Sequence, residues 1–208
     1  KNVPNFTDPM PAEYDWHILV EISSSVTENL SGLMEEILEA GFNQDIVLDA
    51  VIPASDAQQQ KLWTLREEIS GAQKPEGGSI KHDISVPIAR IADFINEANT
   101  ALEKIVPNFR PVIFGHIGDG NLHYNPLQPK DMDKQDFLDL WEPVSRTVHD
   151  IAHSMGGSIS AEHGIGRMKK NDLMLYKSEV ELDMMRKVKA ALDPKGIFNP
   201  GKLLPDGD

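Results

Sequence analysis

Cysteine is absent from the 208 residues of this sequence. Its absence excludes disulfide bonds, thiolate nucleophiles and metal or iron–sulfur sites built on cysteine, and it is typical of a reducing compartment. Positive charge is also scarce, because 20 Lys and Arg residues stand against 33 Asp and Glu residues, for a formal net charge of −13. Binding to nucleic acids and to anionic membranes depends on Lys and Arg, so this balance argues against both as partners. Long apolar runs are missing as well, since none approaches the roughly 18 residues that a transmembrane helix needs.

The sequence does have the composition of an ordinary globular protein, with 40% hydrophobic and 25% charged residues. The spacing of apolar residues separates predicted strands from predicted helices. Strands are predicted over 16–23, 46–52, 81–87, 110–117 and 121–125, and helices over 26–40, 55–70, 88–105, 134–155 and within 168–192. The order mixes crossover units with a hairpin and predicts an α+β fold, an antiparallel or mixed sheet covered by helices, with ferredoxin-like halves.

Two features bear on the boundaries of these elements. Gly41 follows the apolar positions of the first helix, and we expect it to end that helix. The first residues of the chain are polar and rich in proline. Residues 1–14 are therefore predicted to be a linker from an upstream region, and residues 15–208 to be the domain itself.

The segment FGHIGDGNLHYN, residues 114–125, predicts a β-hairpin that carries two histidines. Asp119-Gly120 favours a two-residue type I′ turn, and this turn would place His116 directly opposite His123. Opposed side chains in an antiparallel pair point to one face, which suits two nitrogen ligands on one metal ion. Asn125 would share that face. The alternative is a pair of histidines that hydrogen-bond to their neighbours without a metal.

The segment SMGGSISAEHGIGRMKK, residues 154–170, predicts a short strand that enters a glycine-rich turn. Glu162 is a candidate third ligand, and three protein ligands with one open position are typical of a catalytic metal site. His163 is a candidate general base. The alternative is that Glu162 caps a backbone turn and His163 is exposed to solvent. Lys169 and Lys170 are interpreted as a solvated surface.

A third candidate site is the helical segment LWTLREEIS, residues 62–70. Arg66 and Ser70 are spaced i and i+4, so they share one helix face and could bind a carboxylate. The alternative is a surface Arg66 paired with Glu67 or Glu68. Lys81, at the start of the next predicted strand, has the same two interpretations.

Five motifs together identify a resemblance: WTLREEIS, KHDISVP, GHIGDGNLHYN, SISAEHGIG and DPKGIFNPGKLL. The chain resembles the C-terminal domain of FAD-linked oxidases of the vanillyl-alcohol-oxidase type. Within that type it is similar to the group of D-2-hydroxyglutarate dehydrogenase, D-lactate dehydrogenase and the glycolate oxidase flavin subunit. The motifs run in family order from about residue 62 to the C-terminus.

The resemblance implies a role for each candidate. It implies that His116, His123 and Glu162 hold a divalent metal, usually zinc, and that His163 takes the hydroxyl proton of the substrate. The residues that it implies at the substrate are Arg66, Ser70, Lys81 and Asn125. It also implies a contact between Asn199 and the FAD cofactor.

The resemblance further implies an FAD-dependent enzyme that oxidises a small D-2-hydroxyacid, such as D-2-hydroxyglutarate or D-lactate, to the 2-oxoacid. The FAD-binding domain would lie before residue 1, the electron acceptor would be another molecule, and the 208 residues alone are expected to be inactive. The bacterial cytoplasm or the mitochondrial matrix is the implied location, and a homodimer is left open. The alternative is a non-catalytic module for metal binding or oligomerisation.

Overall fold

The computed structural model describes residues 2–3, 6, 8–10, 12–26 and 28–204. It divides into two compact units, residues 1–76 and residues 77–208. Each unit is described by itself below. Among the described residues, no helix combines the length and the apolar character that crossing a membrane requires.

The described residues of the first unit form two α-helices, α1 (Leu30–Asn43) and α2 (Asp56–Ala72), followed by a 3₁₀ turn at Lys74–Glu76. Apolar spacing predicts the first helix, and the capping residues Ser55 and Asp56 predict the second. Each helix begins at a side-chain cap. Asn29 accepts a hydrogen bond from the backbone of Gly32, and Ser55 accepts one from Gln58. These caps satisfy backbone N–H groups that have no partner within the helix.

Three predictions for the first unit are wrong. Gly41 does not end α1, because the helix continues to Asn43 and the chain turns at Asp45, whose φ is 56°. Residues 16–23 and 46–52 are not strands, since the described part of the chain gives neither segment a ladder of hydrogen bonds. Most of their apolar side chains stay exposed, as Ile18 (70%) and Leu48 (77%) illustrate. Apolar alternation predicts a strand only where a partner strand pairs with it.

The second unit contains all three strands that the structure describes: β1 (His82–Ser85), β2 (Arg110–His116) and β3 (Asn121–Leu127). They form one antiparallel sheet in the order β1-β3-β2. Ser158 adds a single antiparallel bridge to Ser85 on the outer side of β1. Helix α3 (Ile91–Glu103) follows β1, and helix α5 (Trp141–Ser154) follows β3. The order of strands and helices is therefore the βαββαβ pattern of a ferredoxin-like half. The bridge at Ser158 takes the place of the last strand of that pattern. The predicted α+β fold is confirmed.

The remaining helices of this unit are α4 (Lys134–Leu138), α6 (Lys170–Tyr176) and α7 (Glu179–Leu192), and a 3₁₀ turn at Ile88–Arg90 precedes α3. The sequence predicts one helix over 134–155, but the structure contains two. Pro143 lies in the first turn of α5. A proline ring clashes with the carbonyl four residues earlier, which kinks or breaks a helix at this point.

The core lies between the sheet and the helices α3 and α5. Apolar side chains at helical spacing on α3 are buried against one face of the sheet: Phe94, Ile95, Ala98 and Leu102. Ile84 and Tyr124 supply that face from β1 and β3, and both are fully buried. Side chains alternate along a strand, so the neighbours of Ile84 and Tyr124 point to the opposite face. The candidate site lies on that opposite face.

Candidate functional site

The hairpin that joins β2 to β3 has a different register from the one predicted. His116 is paired with Asn121, and His123 is paired with Phe114. The loop spans residues 117–120, so Asp119-Gly120 does not form the two central residues of a tight turn. The prediction that His116 directly faces His123 is therefore wrong.

Local hydrogen bonds account for the longer loop. The side-chain carboxylate of Asp119 accepts a hydrogen bond from the backbone N–H of Asn121 at 3.0 Å. The backbone N–H of Asp119 donates to the backbone carbonyl of His116 at 3.4 Å. Gly120, with φ 76°, accepts a hydrogen bond from the backbone of Val86 at 3.1 Å. An Asx-type contact and a bond to a distant segment thus stabilise a four-residue loop over the two-residue turn.

The observed register still leaves both histidines on one face. Residues two apart along a strand share a face, so His123 lies on the face of Asn121, which is paired with His116. A slip of one residue would have placed the two histidines on opposite faces, whereas the observed shift of two residues keeps them on one face.

Glu162 lies against both histidines. Its Oε2 is 3.6 Å from Nε2 of His123, and its Oε1 is 4.0 Å from Nε2 of His116. Oε1 also accepts a hydrogen bond from the side-chain amide of Asn121. The carboxylate of Glu162 is therefore turned toward the sheet, and it is not the cap of a backbone turn that the alternative interpretation expected.

The two imidazoles and the carboxylate are chemically suited to a divalent cation, but the ligand atoms of His116, His123 and Glu162 do not all lie within 4.8 Å of one another. Two ligands about 2.1 Å from a tetrahedral zinc ion lie about 3.4 Å from each other. The separations of 3.6 and 4.0 Å around Glu162 are close to that value. Among the described residues, the one set of three whose ligand atoms do lie within 4.8 Å of one another overlaps the predicted set and consists of Asp83, His123 and His163. His123 belongs to both sets and, at 15% exposure, it is the least exposed of the three predicted ligands.

Asp83 is a site residue that the sequence analysis did not single out. It lies on β1 opposite His123, and its side chain is only 2% exposed. Its carboxylate accepts hydrogen bonds from the backbone of His163 at 2.8 Å and of Glu162 at 3.1 and 3.2 Å. Burial raises the pKa of Asp83, but these N–H groups and the neighbouring charges together outweigh burial, so the pKa is below its ordinary value. Asp83 is therefore anionic at neutral pH. The sequence did contain a signal for Asp83. Side chains alternate along the predicted strand KHDIS, so Asp83 shares a face with the candidate substrate residue Lys81.

Lys169 also belongs to the surroundings of the site, which corrects its interpretation as a solvated surface residue. Its Nζ donates to the backbone carbonyl of Ile159 at 2.7 Å and to that of Asp83 at 3.4 Å. Burial lowers the pKa of Lys169, and the nearby Asp83 charge opposes that effect.

His163 is placed at the rim of the site. Its side chain is 68% exposed, as the alternative interpretation expected, but its Nδ1 lies 3.7 Å from Oδ2 of Asp83. Its ring centre is 5.7 Å from that of His123. The imidazole is thus open to solvent and adjacent to both the metal-ligand candidates and a buried carboxylate.

Of the predicted substrate residues, Asn125 and Lys81 lie by the same face. Asn125 is buried, and its side-chain oxygen accepts a hydrogen bond from the backbone of His82 at 3.2 Å. Lys81 is exposed and immediately precedes β1. Arg66 and Ser70 lie one turn apart on α2, in the first unit. The structure therefore brings together only part of the predicted substrate set within the second unit.

Asn199, the predicted cofactor contact, follows α7. It is exposed and has φ 45°. An exposed position is what contact with a cofactor held by another domain requires.

Comparison with known proteins points to one family. The sequence profile of the family described as FAD linked oxidases, C-terminal domain, matches residues 1–203. A D-2-hydroxyglutarate dehydrogenase of Stutzerimonas stutzeri is 39% identical over 200 residues, which cover 94% of this chain and 42% of that protein. The mitochondrial D-2-hydroxyglutarate dehydrogenases of Rattus norvegicus and Arabidopsis thaliana are 37% and 35% identical, over 97% and 95% of this chain. This chain spans 36% and 34% of those two proteins.

Proposed function

The chain belongs to the family of FAD-linked oxidase C-terminal domains, and from this premise we propose that it is the substrate- and metal-binding domain of an FAD-dependent D-2-hydroxyacid dehydrogenase. The whole enzyme would oxidise a D-2-hydroxyacid to the corresponding 2-oxoacid. The names of the relatives favour D-2-hydroxyglutarate as the substrate. Residues 1–14 would link this domain, residues 15–208, to an FAD-binding domain before it.

One observation carries the proposal: Glu162 lies against His116 and His123 on the face of the sheet opposite the core, with His163 beside them. Two imidazoles and a carboxylate suit zinc, and they would also accept manganese, cobalt or iron. A divalent ion at these three residues would polarise the 2-hydroxyl group and lower its pKa. FAD, when bound, would accept the hydride from C2.

The chain's own residues would supply proton transfer and orientation. His163 would accept the hydroxyl proton, and its exposure leaves the imidazole accessible to a substrate. Removal of that proton from oxygen and of hydride from carbon leaves the C=O bond of the 2-oxoacid.

The substrate carboxylate would be bound by cationic and polar side chains that the sequence motifs identify: Arg66, Ser70, Lys81 and Asn125. A guanidinium group binds a carboxylate through two parallel hydrogen bonds, which fixes orientation as well as charge. Asn199 would contact FAD. The electron acceptor would be a separate molecule, and the enzyme would act in the bacterial cytoplasm or the mitochondrial matrix.

The test is anaerobic reduction of the full-length flavoprotein that contains this chain. D-2-hydroxyglutarate, D-lactate and glycolate are each mixed with the oxidised enzyme, and flavin absorbance is followed. We expect one of them to bleach the flavin, and the L enantiomer of a chiral substrate to leave it oxidised. No bleaching by any D-2-hydroxyacid would contradict the proposed function. Metal binding without bleaching would favour a non-catalytic metal-binding module.

Two variants assign the roles. His163→Asn should slow flavin reduction by about a hundredfold or more at saturating substrate, because general-base catalysis contributes about 10²–10⁴-fold. Arg66→Lys should mainly raise the KM, because lysine cannot reproduce the bidentate contact. Equal effects of the two variants on kcat would contradict this division of roles.

A further inference from the structure

The carboxylate of Asp83 is buried where the site loop, residues 159–163, meets the sheet. Its side chain is 2% exposed, although β1 places it on the face that carries His123. The site loop covers it. A buried carboxylate is costly unless hydrogen bonds and positive charge compensate for the lost hydration. The contacts of Asp83 therefore indicate what the residue does.

The hydrogen bonds of this carboxylate come from the site loop. Oδ2 accepts the backbone N–H of His163 at 2.8 Å and of Glu162 at 3.1 Å, and the hydroxyl of Ser160 donates to it at 3.3 Å. Oδ1 lies 3.2 Å from the same N–H of Glu162. One side chain on β1 thus holds the backbone of two consecutive residues, one a metal-ligand candidate and the other the candidate base.

The same carboxylate also faces the imidazole of His163. Oδ2 lies 3.7 Å from Nδ1, so the negative charge is on the Nδ1 side of the ring. This separation is longer than a hydrogen bond, so the backbone N–H of His163, at 2.8 Å, is the contact that holds the residue.

Lys169 fixes the other end of the site loop. Its Nζ donates to the carbonyl of Ile159 at 2.7 Å and reaches the backbone carbonyl of Asp83 at 3.4 Å. The half-buried ammonium group therefore joins the beginning of the loop to β1 and places a positive charge near the buried carboxylate.

We propose that Asp83 is a positioning residue that orients both Glu162 and His163 from beneath the site loop. This inference rests on the proposed function. It adds a residue that is neither a metal ligand nor a substrate contact in that proposal. Its effect on the reaction is exerted through His163 and Glu162.

The test compares Asp83→Asn with Asp93→Asn in the full-length flavoprotein. The first substitution keeps the size of the side chain, but the new amide group points a donor at backbone donors and removes the charge beside His163. Asp93 is an exposed residue on α3 that pairs with Arg90, away from the site. It therefore controls for the loss of one carboxylate.

We expect Asp83→Asn to lower kcat by at least about tenfold, as the partial loss of a general base would. The KM for the hydroxyacid and the flavin content should change by less than about threefold, because the residues that bind the substrate carboxylate are unaltered. Asp93→Asn should retain wild-type kcat. A wild-type kcat in Asp83→Asn, or a change in KM alone, would overturn the inference.

Amide hydrogen exchange in the wild-type enzyme provides a second, independent measurement. If Asp83 accepts their N–H groups, the amides of Glu162 and His163 should exchange at least about tenfold more slowly than the free peptide rate. Exchange of both amides at the free peptide rate would overturn the inference. If Asp83→Asn does not fold, this measurement on the wild-type enzyme still decides, and slowed exchange would support the inference. Failure of the wild-type enzyme to oxidise any hydroxyacid would contradict the proposed function, and the exchange rates would still test the anchoring of the loop.

Discussion

His123 and Glu162 lie side by side, with Nε2 of the imidazole 3.6 Å from Oε2 of the carboxylate. His123 is on the central strand of the sheet, whereas Glu162 is in the loop after α5. The contact therefore joins two parts of the chain that only the folded domain brings together. It also places a negative charge beside two imidazoles, where a cation would be stabilised.

The first prediction is that Glu162→Gln weakens metal binding. Glutamine keeps the shape of glutamate but loses the charge that attracts a divalent ion. We expect the affinity for Zn²⁺, measured by titration calorimetry of this chain, to fall by at least about tenfold. Glu142→Gln, on the exposed first turn of α5, is the matched control and should bind Zn²⁺ as the wild type does. Equal affinity in the two variants would contradict the assignment of Glu162 as a ligand.

The second prediction concerns stability in acid. His149 on α5 is 3% exposed, and neither ring nitrogen has a hydrogen-bond partner among the described residues. Burial, with a smaller effect of the Lys169 charge, lowers the pKa of His149 from 6.5 to about 4. The unfolded chain therefore binds a proton at a higher pH than the folded chain does. Stability should fall as the pH decreases from about 6.5 to 4, by about 3 kcal/mol for this residue.

The variant His149→Phe tests this dependence. Phenylalanine cannot be protonated, so the difference in unfolding free energy between the variant and the wild type should shift in favour of the variant as the pH falls. His17→Phe replaces an exposed histidine and should not change the slope. Urea unfolding at several pH values measures both. Parallel pH profiles for His149→Phe and the wild type would show that His149 is not the acid-sensitive group.

The third prediction concerns two glycines of the hairpin loop. Gly120 has φ 76°, and a Cβ atom built there would lie 2.0 Å from the carbonyl oxygen of Val86. A Cβ atom on Gly118, by contrast, would have no neighbouring atom within 4 Å. Gly120→Ala should therefore destabilise the fold by more than about 1 kcal/mol, whereas Gly118→Ala should have little effect. Thermal unfolding compares the two, and an equal melting temperature would contradict the described loop conformation.

The fourth prediction concerns the core. Phe94 on α3 is fully buried and packs edge-on against Tyr124, with ring centres 5.6 Å apart. Phe94→Ala should cost about 3–5 kcal/mol in unfolding free energy, because a large cavity replaces the ring. Phe198 is 60% exposed, and Phe198→Ala should change stability by less than about 0.5 kcal/mol. Chemical denaturation measures both, and a small effect at Phe94 would be inconsistent with the described core.

The helices and the types of ligand could be predicted from the sequence because their signals are local. Apolar residues at helical spacing indicate α1 and α3, the capping residues Ser55 and Asp56 indicate α2, and Asp119-Gly120 indicates the loop between β2 and β3. The period of two along β3 places His123 and Asn125 on one face, and the observed register keeps that relation. Side chains alternate between the two faces of a strand whatever its partner. A shift of two residues in the pairing of β2 with β3 therefore leaves each side chain on its predicted face.

Tertiary structure decided what depends on distant contacts. The hairpin register followed from the bond between Gly120 and Val86, and the break between α4 and α5 lies at the first turn that contains Pro143. Segments 16–23 and 46–52 have the pattern of strands but no partner strand among the described residues. Composition and periodicity determined the α+β class and the chemistry of the candidate ligands. Only the folding of the 159–163 loop over β1 made Asp83 an anchor, because a carboxylate acquires that role from the N–H groups that surround it.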